Sequence, residues 1–246
     1  MLRFEHSWRV LFDETEVAKP IGLGISYTRS LKDTLEVFAN DGKTRIRVEQ
    51  NHEHGVAGVV WDAGICMVGI IHRLKELHDA KSVLELGSGT GLVGVAVKRL
   101  FPKLRLVITD RTERDTALIK KNLAHNLPTC VRGEESVCVR EIEWGRPQDA
   151  DALRPRTFDV VLCSDTVYEK DALDAFLQTL EMTTRRGSVV FLAYRRRFDA
   201  RERPFFRLLS NNFVVTVAAA GPLSDEGDGA EDDVHRNVHF CKCIRK

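Results

Sequence analysis

The chain has 246 residues, a length that suits one large α/β domain or two small ones. Its 37 Lys and Arg residues nearly balance its 36 Asp and Glu residues, and a net charge of +1 argues against a basic nucleic-acid-binding protein. Hydrophobic residues make up 43% and charged residues 30%, as in soluble globular proteins. No apolar run approaches the roughly 18 residues of a membrane span, so we do not expect a membrane partner. Because of the near-neutral net charge, we do not expect a nucleic acid as partner either.

The first residues lack the apolar core of a secretory signal. Cysteines in such a chain are more often free thiols in a reducing compartment than a disulfide framework. We therefore expect a cytoplasmic protein and leave the nucleus open as a second location. The cysteines to which this expectation applies are Cys66, Cys130, Cys138, Cys163, Cys241 and Cys243.

The N-terminal part differs in pattern from the rest of the chain. Two short alternating stretches, 35–38 and 45–49, flank Asn40-Asp41-Gly42 and predict an antiparallel hairpin. Beyond them, apolar residues recur every three or four positions between Val60 and Leu77. This period predicts one amphipathic helix over 59–78.

From Lys81 onward, apolar runs alternate with helical stretches. Such an alternation indicates an α/β fold with a mostly parallel sheet covered by helices on both faces. Only a polar loop separates the last two runs, so we expect an antiparallel last strand at one edge. The seven predicted strands are 83–86, 104–108, 137–142, 158–163, 189–194, 213–219 and 234–244, and the helices cover about 91–101, 112–126, 170–183 and 199–212.

The most informative segment runs from a predicted buried strand through a glycine-rich loop into a helix. Such glycines let the backbone turn sharply and let a ligand lie against main-chain N–H groups. Two cofactor patterns fit this loop. Gly89-x-Gly91-x-x-Gly94 matches the dinucleotide fingerprint. Glu85 followed by Gly87, Gly89 and Gly91 matches the pattern of S-adenosylmethionine (SAM) sites.

The next two strand ends bear on the choice of cofactor. Asp110 ends the second strand and can accept both hydroxyls of a ribose, which NAD and SAM share, so it supports either. The segment Cys163-Ser164-Asp165-Thr166-Val167-Tyr168 follows the fourth strand. Ligands of open α/β sheets bind where the strand order reverses, so we expect this segment to face the glycine loop across one pocket. This segment and the register of Glu85 favour SAM.

These motifs resemble those of the seven-β-strand, class I methyltransferases, and more narrowly the family-16 group, which includes protein-lysine methyltransferases. The resemblance implies a Rossmann-like seven-stranded sheet with helices on both faces. From the change of pattern along the chain, we expect an N-terminal extension over residues 1–58, on the substrate side, and a methyltransferase domain over 59–246. The segments that carry the resemblance, in the family's order, are Val60–Ala63, Val83–Gly94, Thr109-Asp110, Asn122–Asn126, Glu143–Gly145 and Asp165–Tyr168.

The resemblance also implies a reaction: transfer of a methyl group from SAM to a lysine amine of a protein substrate. We expect that substrate to be a non-histone protein and the enzyme to be a monomer. By resemblance, Asp165 and Tyr168 are the catalytic residues at the substrate opening. We expect no metal, because the leaving group of SAM is already activated. Trp61 is placed near the methionine end of SAM, Trp144 beside the adenine and Asp110 on the ribose. The implied cofactor-binding residues are Trp61, Glu85, Gly87, Ser88, Gly89, Gly91, Asp110, Trp144 and Ser164.

The chemistry of methyl transfer fits these residue types. The nucleophile must be a neutral amine, whereas only about 0.04% of lysine side chains with a pKa near 10.4 are neutral at pH 7. Desolvation favours the neutral form, and directed hydrogen bonds between the amine and the side chains of Asp165 and Tyr168 would hold the nitrogen near attack distance. We interpret Asp165 as an anchor and not as a base, because its charge raises the pKa of the amine.

Other interpretations stay open at this stage. The protein could methylate a small amine or another protein side chain, bind SAM without catalysis, or use NAD in a redox reaction. Trp61 and Trp144 are also explained as core residues. Asp165 is also explained as the cap of a helix that starts near Glu169.

Three charged or metal-type clusters receive ordinary explanations. His235, His239, Cys241 and Cys243 share one strand face, but the first and last lie roughly 26 Å apart, too far for one metal ion. The acidic loop 225–233 is expected to be solvated. We expect the same of the basic cluster, with docking of an acidic protein surface as the alternative. That cluster comprises Arg195, Arg196, Arg197, Arg201, Arg203 and Arg207.

Overall fold

The computed structural model describes residues 33–39, 43–128, 136–195, 199–219 and 238–246. Several predicted features lie outside these residues: the hairpin turn at 40–42, Cys130, Arg196 and Arg197, the acidic loop 225–233, and His235. The strands are β1 (Thr34–Phe38), β2 (Arg45–Glu49), β3 (Ser82–Leu86), β4 (Arg105–Asp110), β5 (Val137–Glu141), β6 (Phe158–Ser164), β7 (Thr184–Arg195), β8 (Phe213–Ala219) and β9 (Val238–Arg245). The α-helices are α1 (Asp62–Ile70), α2 (Lys75–Asp79), α3 (Leu92–Leu100), α4 (Glu113–Asn126), α5 (Pro147–Ala152), α6 (Leu173–Thr183) and α7 (Asp199–Asn212).

Seven strands form one sheet in the order β5-β4-β3-β6-β7-β9-β8. The pairs from β5 to β7 are parallel, and β9 runs antiparallel between β7 and β8. The seven-stranded, mostly parallel sheet and its antiparallel last strand are confirmed. The chain runs outward from β3 through β4 to β5 and then returns to β6 on the other side of β3. This reversal creates a switch point at the carboxyl ends of β3 and β6, where ligands of such sheets bind.

Both faces of the sheet are buried, which explains the continuous apolar runs. Successive residues of β6 alternate between two cores: Val160 and Leu162 pack with α1 and α3, whereas Val161 and Cys163 pack with α6 and α7. The glycine loop and the end of β6 therefore rest on a sheet held from both sides.

The predicted N-terminal hairpin is confirmed, since β1 pairs antiparallel with β2. Its inward-facing residues Val37, Ile46 and Val48 are fully buried and share the core formed by α1, α3 and α4. The hairpin therefore packs on the helical layer instead of extending the main sheet. The domain boundary at residue 58 stays a prediction.

The single amphipathic helix predicted over 59–78 is wrong. The segment folds as α1, a 3-10 turn at Ile71–Arg73, and α2, with Leu74 extended between them. All nine residues of α1 are buried, because the helix lies between the sheet and neighbouring elements that include α3 and β1. Such a helix has no solvent face, so the assumption of amphipathicity fails.

The predicted helices at α3, α4 and α7 are confirmed within one residue at each end. The helix predicted over 170–183 splits into a 3-10 turn, Lys170–Ala172, followed by α6. At the start of α4, the Thr112 hydroxyl accepts a hydrogen bond from the amide of Asp115. The short helix α5 was not predicted.

Among the described residues, no single helix has the length and apolarity to cross a membrane. The segments His52–Gly58 and Asp62–Arg73, bent by 49° to each other, reach that length and composition only as a pair.

Candidate active site

The glycine loop turns tightly from β3 into α3. Gly87, Gly89 and Gly91 all have positive φ angles, of 66°, 59° and 85°, which side chains of L-residues rarely adopt. Ser88 donates its amide to the carbonyl of Thr109 at 3.0 Å, so the loop is tied to the end of β4. Glycine is thus required here by the backbone conformation itself.

Asp110 lies beside this loop at the end of β4. Its Oδ2 accepts a hydrogen bond from the amide of Gly89 at 2.6 Å, and its Oδ1 accepts one from the amide of Arg111 at 2.7 Å. Burial raises the pKa of this carboxyl above its ordinary value, and the two amides counteract that shift. A carboxylate has lone pairs to spare beyond these two bonds, so Asp110 still has acceptor capacity for ribose hydroxyls.

Glu85 is buried within β3, with 1% of its surface exposed. Neither carboxyl oxygen makes a hydrogen bond of ordinary geometry. Burial raises the pKa of Glu85 to about 8, and the nearby Ser88 hydroxyl and Gly94 amide only partly offset that rise. Buried polar atoms without a partner are rare and costly, and they commonly mark a site that a ligand completes.

Two more buried hydroxyls have no hydrogen-bond partner. Ser88 lies within the glycine loop, and Thr166 lies beside it. Thr166 lies directly across from the loop, because a Cβ atom placed on Gly87 would lie 3.2 Å from its Cγ2. Thr166 was not among the predicted site residues. Its place between Asp165 and Tyr168 in the motif after β6 was the available signal.

Asp165 has a strained backbone. Its φ of 55° makes it the only non-glycine residue with positive φ within the described parts of the chain. The residue is buried, and its amide donates to the carbonyl of Ala193 at 2.7 Å. The alternative that it caps a helix is wrong, because the next helical turn begins at Lys170 and its N-cap residue is Glu169. Strain of this kind concentrates at functional sites.

Tyr168 is 41% exposed at the rim of the same crevice. Burial raises the pKa of its phenol, and the carboxylates of Glu169, Asp110 and Asp165 add to the rise. The phenol therefore stays protonated at neutral pH and can donate a hydrogen bond. Because β4 and β6 both pair in parallel with β3, their carboxyl ends border the same crevice beside the glycine loop.

The segment His52–Gly58 covers the glycine loop from the N-terminal side. The carbonyl oxygen of Ala57 would lie 3.2 Å from a Cβ atom on Gly89, and Trp61 donates its indole N–H to the carbonyl of Val56 at 2.8 Å. His54 Nδ1 lies 3.7 Å from Oδ1 of Asp115, near the start of α4. Trp61 is thus held against the segment that covers the glycine loop.

Trp144 lies on the opposite side of the loop. Its ring would lie 3.0 Å from a Cβ atom on Gly87, and it packs on Phe176 with ring centroids 4.8 Å apart. The ring therefore belongs partly to the core and partly to the crevice wall. Ser164, at the end of β6, lies against α1, since its Oγ would lie 3.6 Å from a Cβ atom on Gly64.

One residue of the predicted basic cluster has a different role. Arg195, at the end of β7, lies 3.5 Å from the buried carboxylate of Asp62 at the start of α1. It is therefore one side of an ion pair and not part of a solvated face. Within the described part of the chain, no cluster of three His, Cys, Asp or Glu residues has a geometry that could hold a metal ion.

The crevice thus offers a glycine cradle, a ribose-type carboxylate and several buried polar atoms without partners. These groups fit SAM, whose ribose hydroxyls, amino group and carboxylate all need polar partners. A seven-stranded sheet with an antiparallel last strand and a cofactor crevice at this switch point is the architecture of class I methyltransferases.

Comparison with known proteins supports the assignment to the methyltransferases. The sequence matches the model of the family described as lysine methyltransferase over residues 40–212, and the chain belongs to that family. It is 32% identical over 191 residues to the Mus musculus protein N-lysine methyltransferase METTL21A, covering 76% of this chain and 82% of the relative. It is also 32% identical over 168 residues to the Xenopus tropicalis EEF1A lysine methyltransferase 3, covering 67% and 70%.

Solved structures support the fold. An O-methyltransferase family protein from Burkholderia thailandensis matches with a TM-score of 0.56 at 14% identity, covering 74% of this chain and 55% of that protein. The protein described here is therefore a SAM-dependent protein-lysine methyltransferase with a Rossmann-like fold. This membership sets aside the redox, small-amine and non-catalytic interpretations.

Proposed function

We propose that the crevice between the ends of β3, β4 and β6 holds SAM on one side and the target lysine on the other. Asp165 and Tyr168 act on the lysine. The cofactor-binding residues are Trp61, Glu85, Gly87, Ser88, Gly89, Gly91, Asp110, Trp144 and Ser164. The observation that carries this assignment is the strained, buried backbone of Asp165, next to Thr166 and within reach of the glycine loop.

The strain at Asp165 supports an orienting role. A left-handed backbone costs a non-glycine residue roughly 1–2 kcal/mol, so its retention implies a gain elsewhere. The conformation fixes a carboxylate where β6 ends, opposite the loop. The Tyr168 phenol oxygen and the Asp165 carboxylate can each accept a hydrogen bond from an N–H of a neutral amine, which leaves the lone pair of the amine free and fixed in one direction.

SAM supplies a methyl group on a sulfonium sulfur, which is already an activated leaving group. The residues of this chain must therefore orient a neutral amine and exclude water. The partly buried crevice favours loss of the amine proton by desolvation, and water carries the proton away.

We propose further that the substrate is a non-histone protein. One relative is named for EEF1A and not for a histone, which supports this choice. The near-neutral net charge of +1 also argues against a nucleic-acid partner.

We propose that the enzyme is a monomer of the cytoplasm, with the nucleus as a second location, and that it does not associate with membranes. Five cysteines in the described residues are free thiols, as in reducing compartments. Size-exclusion chromatography with light scattering tests the monomer, and imaging of the tagged protein tests the location. A dimer peak or a secreted protein would contradict these two proposals.

The experiment for the reaction uses radiolabelled SAM, the purified enzyme and a cell extract. The wild-type enzyme should label a protein band, and hydrolysis of that band should release methyllysine. Label confined to the low-mass fraction would contradict the protein substrate.

Asp165→Asn is the matched variant, because asparagine also tolerates a left-handed backbone and keeps the side-chain shape. It should bind SAM with nearly wild-type affinity and label the substrate roughly 100-fold more slowly, because the nucleophile loses its orientation. Labelling at a near-normal rate would overturn the assignment of Asp165.

A further inference from the structure

Helix α4 holds the N-terminal hairpin through two asparagine side chains. Asn126 accepts a hydrogen bond from the amide of Arg47 at 2.9 Å and donates one to the carbonyl of Arg47 at 2.6 Å. Asn122 makes the same pair of bonds with the amide and carbonyl of Glu49, at 2.8 and 2.9 Å. Each side chain therefore pairs with β2 as a neighbouring strand would.

The spacing of the two elements explains this arrangement. Residues four apart on a helix are separated by about 6 Å along its axis. Residues two apart on a strand are separated by about 6.6 Å. Asn122 and Asn126 on one helical face therefore match Glu49 and Arg47 on one side of β2.

The two asparagines differ in their second amide proton. Asn126 donates it to the carbonyl of Asn122 at 2.7 Å, within its own helix. Asn122 donates it to the carbonyl of Thr90 at 2.8 Å. Thr90 lies between Gly89 and Gly91 in the cofactor loop, and Asn122 is fully buried. One amide group thus joins β2 to the loop that binds SAM.

We propose that Asn122 is a positioning residue of the cofactor site, which couples docking of the β1–β2 hairpin to the conformation of the glycine loop. Thr90 is 2% exposed, so its carbonyl has no ready access to water if Asn122 is removed. Reorientation of that peptide would disturb the left-handed turns at Gly89 and Gly91. Because coupling free energies are reciprocal, SAM stabilises the docked hairpin as much as the docked hairpin favours SAM.

The test compares Asn122→Ala with Asn126→Ala. Both variants lose two hydrogen bonds to β2, so both should lower the melting temperature and loosen the hairpin to a similar extent. Only Asn122→Ala frees the Thr90 carbonyl. Calorimetry should show a Kd for SAM roughly tenfold higher for Asn122→Ala, and less than about threefold higher for Asn126→Ala. Equal losses of affinity in the two variants, or no loss in Asn122→Ala, would overturn the proposal.

A second measurement uses the wild-type protein and does not depend on the folding of a variant. Saturation with S-adenosylhomocysteine should slow hydrogen exchange of the Arg47 and Glu49 amides by roughly tenfold relative to the amides of β8, at the far edge of the sheet. Unchanged exchange at β2 would overturn the coupling, whatever the outcome for Asp165 or the substrate.

Discussion

The backbone amide of Gly89 donates a hydrogen bond of 2.6 Å to the carboxylate of Asp110. This bond joins the loop after β3 to the end of β4, so the glycine cradle and the proposed ribose acceptor hold one another in place. Asp110 thus has two tasks: it shapes the loop with one oxygen and offers acceptor capacity to the cofactor.

Replacing Asp110 should separate these tasks. Asp110→Ala loses both, and the affinity for SAM should fall by about 1.5–3 kcal/mol, the scale of hydrogen bonds to a charged group. Asp110→Asn keeps an acceptor for Gly89 and should lose less. Titration calorimetry with SAM measures both variants. An unchanged affinity of Asp110→Ala would show that the ribose does not bind to Asp110.

The stability of the protein without cofactor should depend on the ionisation of Glu85. Its pKa is raised to about 8 in the folded protein, mainly by burial, against about 4.3 in the unfolded chain. The folded state binds this proton more tightly, so its stabilising effect is complete below the unfolded pKa. It is lost as the pH rises through the folded pKa.

Glu85→Gln removes that dependence while keeping the side-chain shape. The difference in free energy of unfolding between wild type and Glu85→Gln should fall between about pH 4 and about pH 8, by at most about 1.4 kcal/mol per pH unit. Urea unfolding of both proteins measures it, and the subtraction cancels all other titrating groups. A difference that stays constant with pH would contradict the raised pKa.

Gly94 lies at a close contact between α3 and the sheet. A Cβ atom there would lie 2.4 Å from Cδ1 of Ile108 and 2.5 Å from Oε2 of Glu85. Gly94→Ala should therefore destabilise the protein by about 1–3 kcal/mol, as overpacked cores do. Thermal or urea unfolding measures the change.

Gly64→Ala in α1 is the control for this prediction. The nearest atom to its added Cβ is Oγ of Ser164 at 3.6 Å, an ordinary contact. Alanine also favours a helix over glycine by about 1 kcal/mol, so this variant should be neutral or more stable. If the two alanine variants unfold alike, steric closeness at Gly94 does not decide its identity.

Asp165 should show a conflict between stability and activity. Asp165→Gly and Asp165→Ala both lose the carboxylate, so both should slow methyl transfer roughly 100-fold. Glycine accepts the φ of 55° without strain, whereas alanine does not. The glycine variant should therefore unfold at a higher temperature, and its free energy of unfolding should be roughly 1 kcal/mol higher than that of the alanine variant. Calorimetric melting together with the labelling assay separates the two effects, and equal stability of both variants would refute the strain.

Local patterns were sufficient for much of this fold. Continuous apolar runs predicted the seven strands, because strands buried on both faces need apolar residues at every position. The helix predicted over 112–126 matches α4, which begins at Glu113 after the N-cap residue Thr112. These features depend on residues near one another in the chain, which is why the sequence alone reveals them.

Patterns that assume a solvent face were less reliable. The helix predicted over 59–78 breaks at Ile71, because α1 is buried on all sides and its apolar period carries no information about a surface. Arg195 looked like part of a basic surface, yet it pairs with Asp62, 133 positions earlier. The ion pair between Arg195 and Asp62 cannot be predicted from the residues that neighbour either of them in the sequence.

The sequence by itself indicated the class of the protein: the register of Glu85 with the glycine loop and the motif after β6 resemble those of SAM-dependent methyltransferases, and both are short, local spacings. Only the tertiary structure decided that β9 lies between β7 and β8, that Asp165 is strained instead of capping a helix, and that Asn122 joins the hairpin to the cofactor loop. Each of these depends on groups that are distant in the chain and are brought together by packing, so no local pattern of residues encodes them.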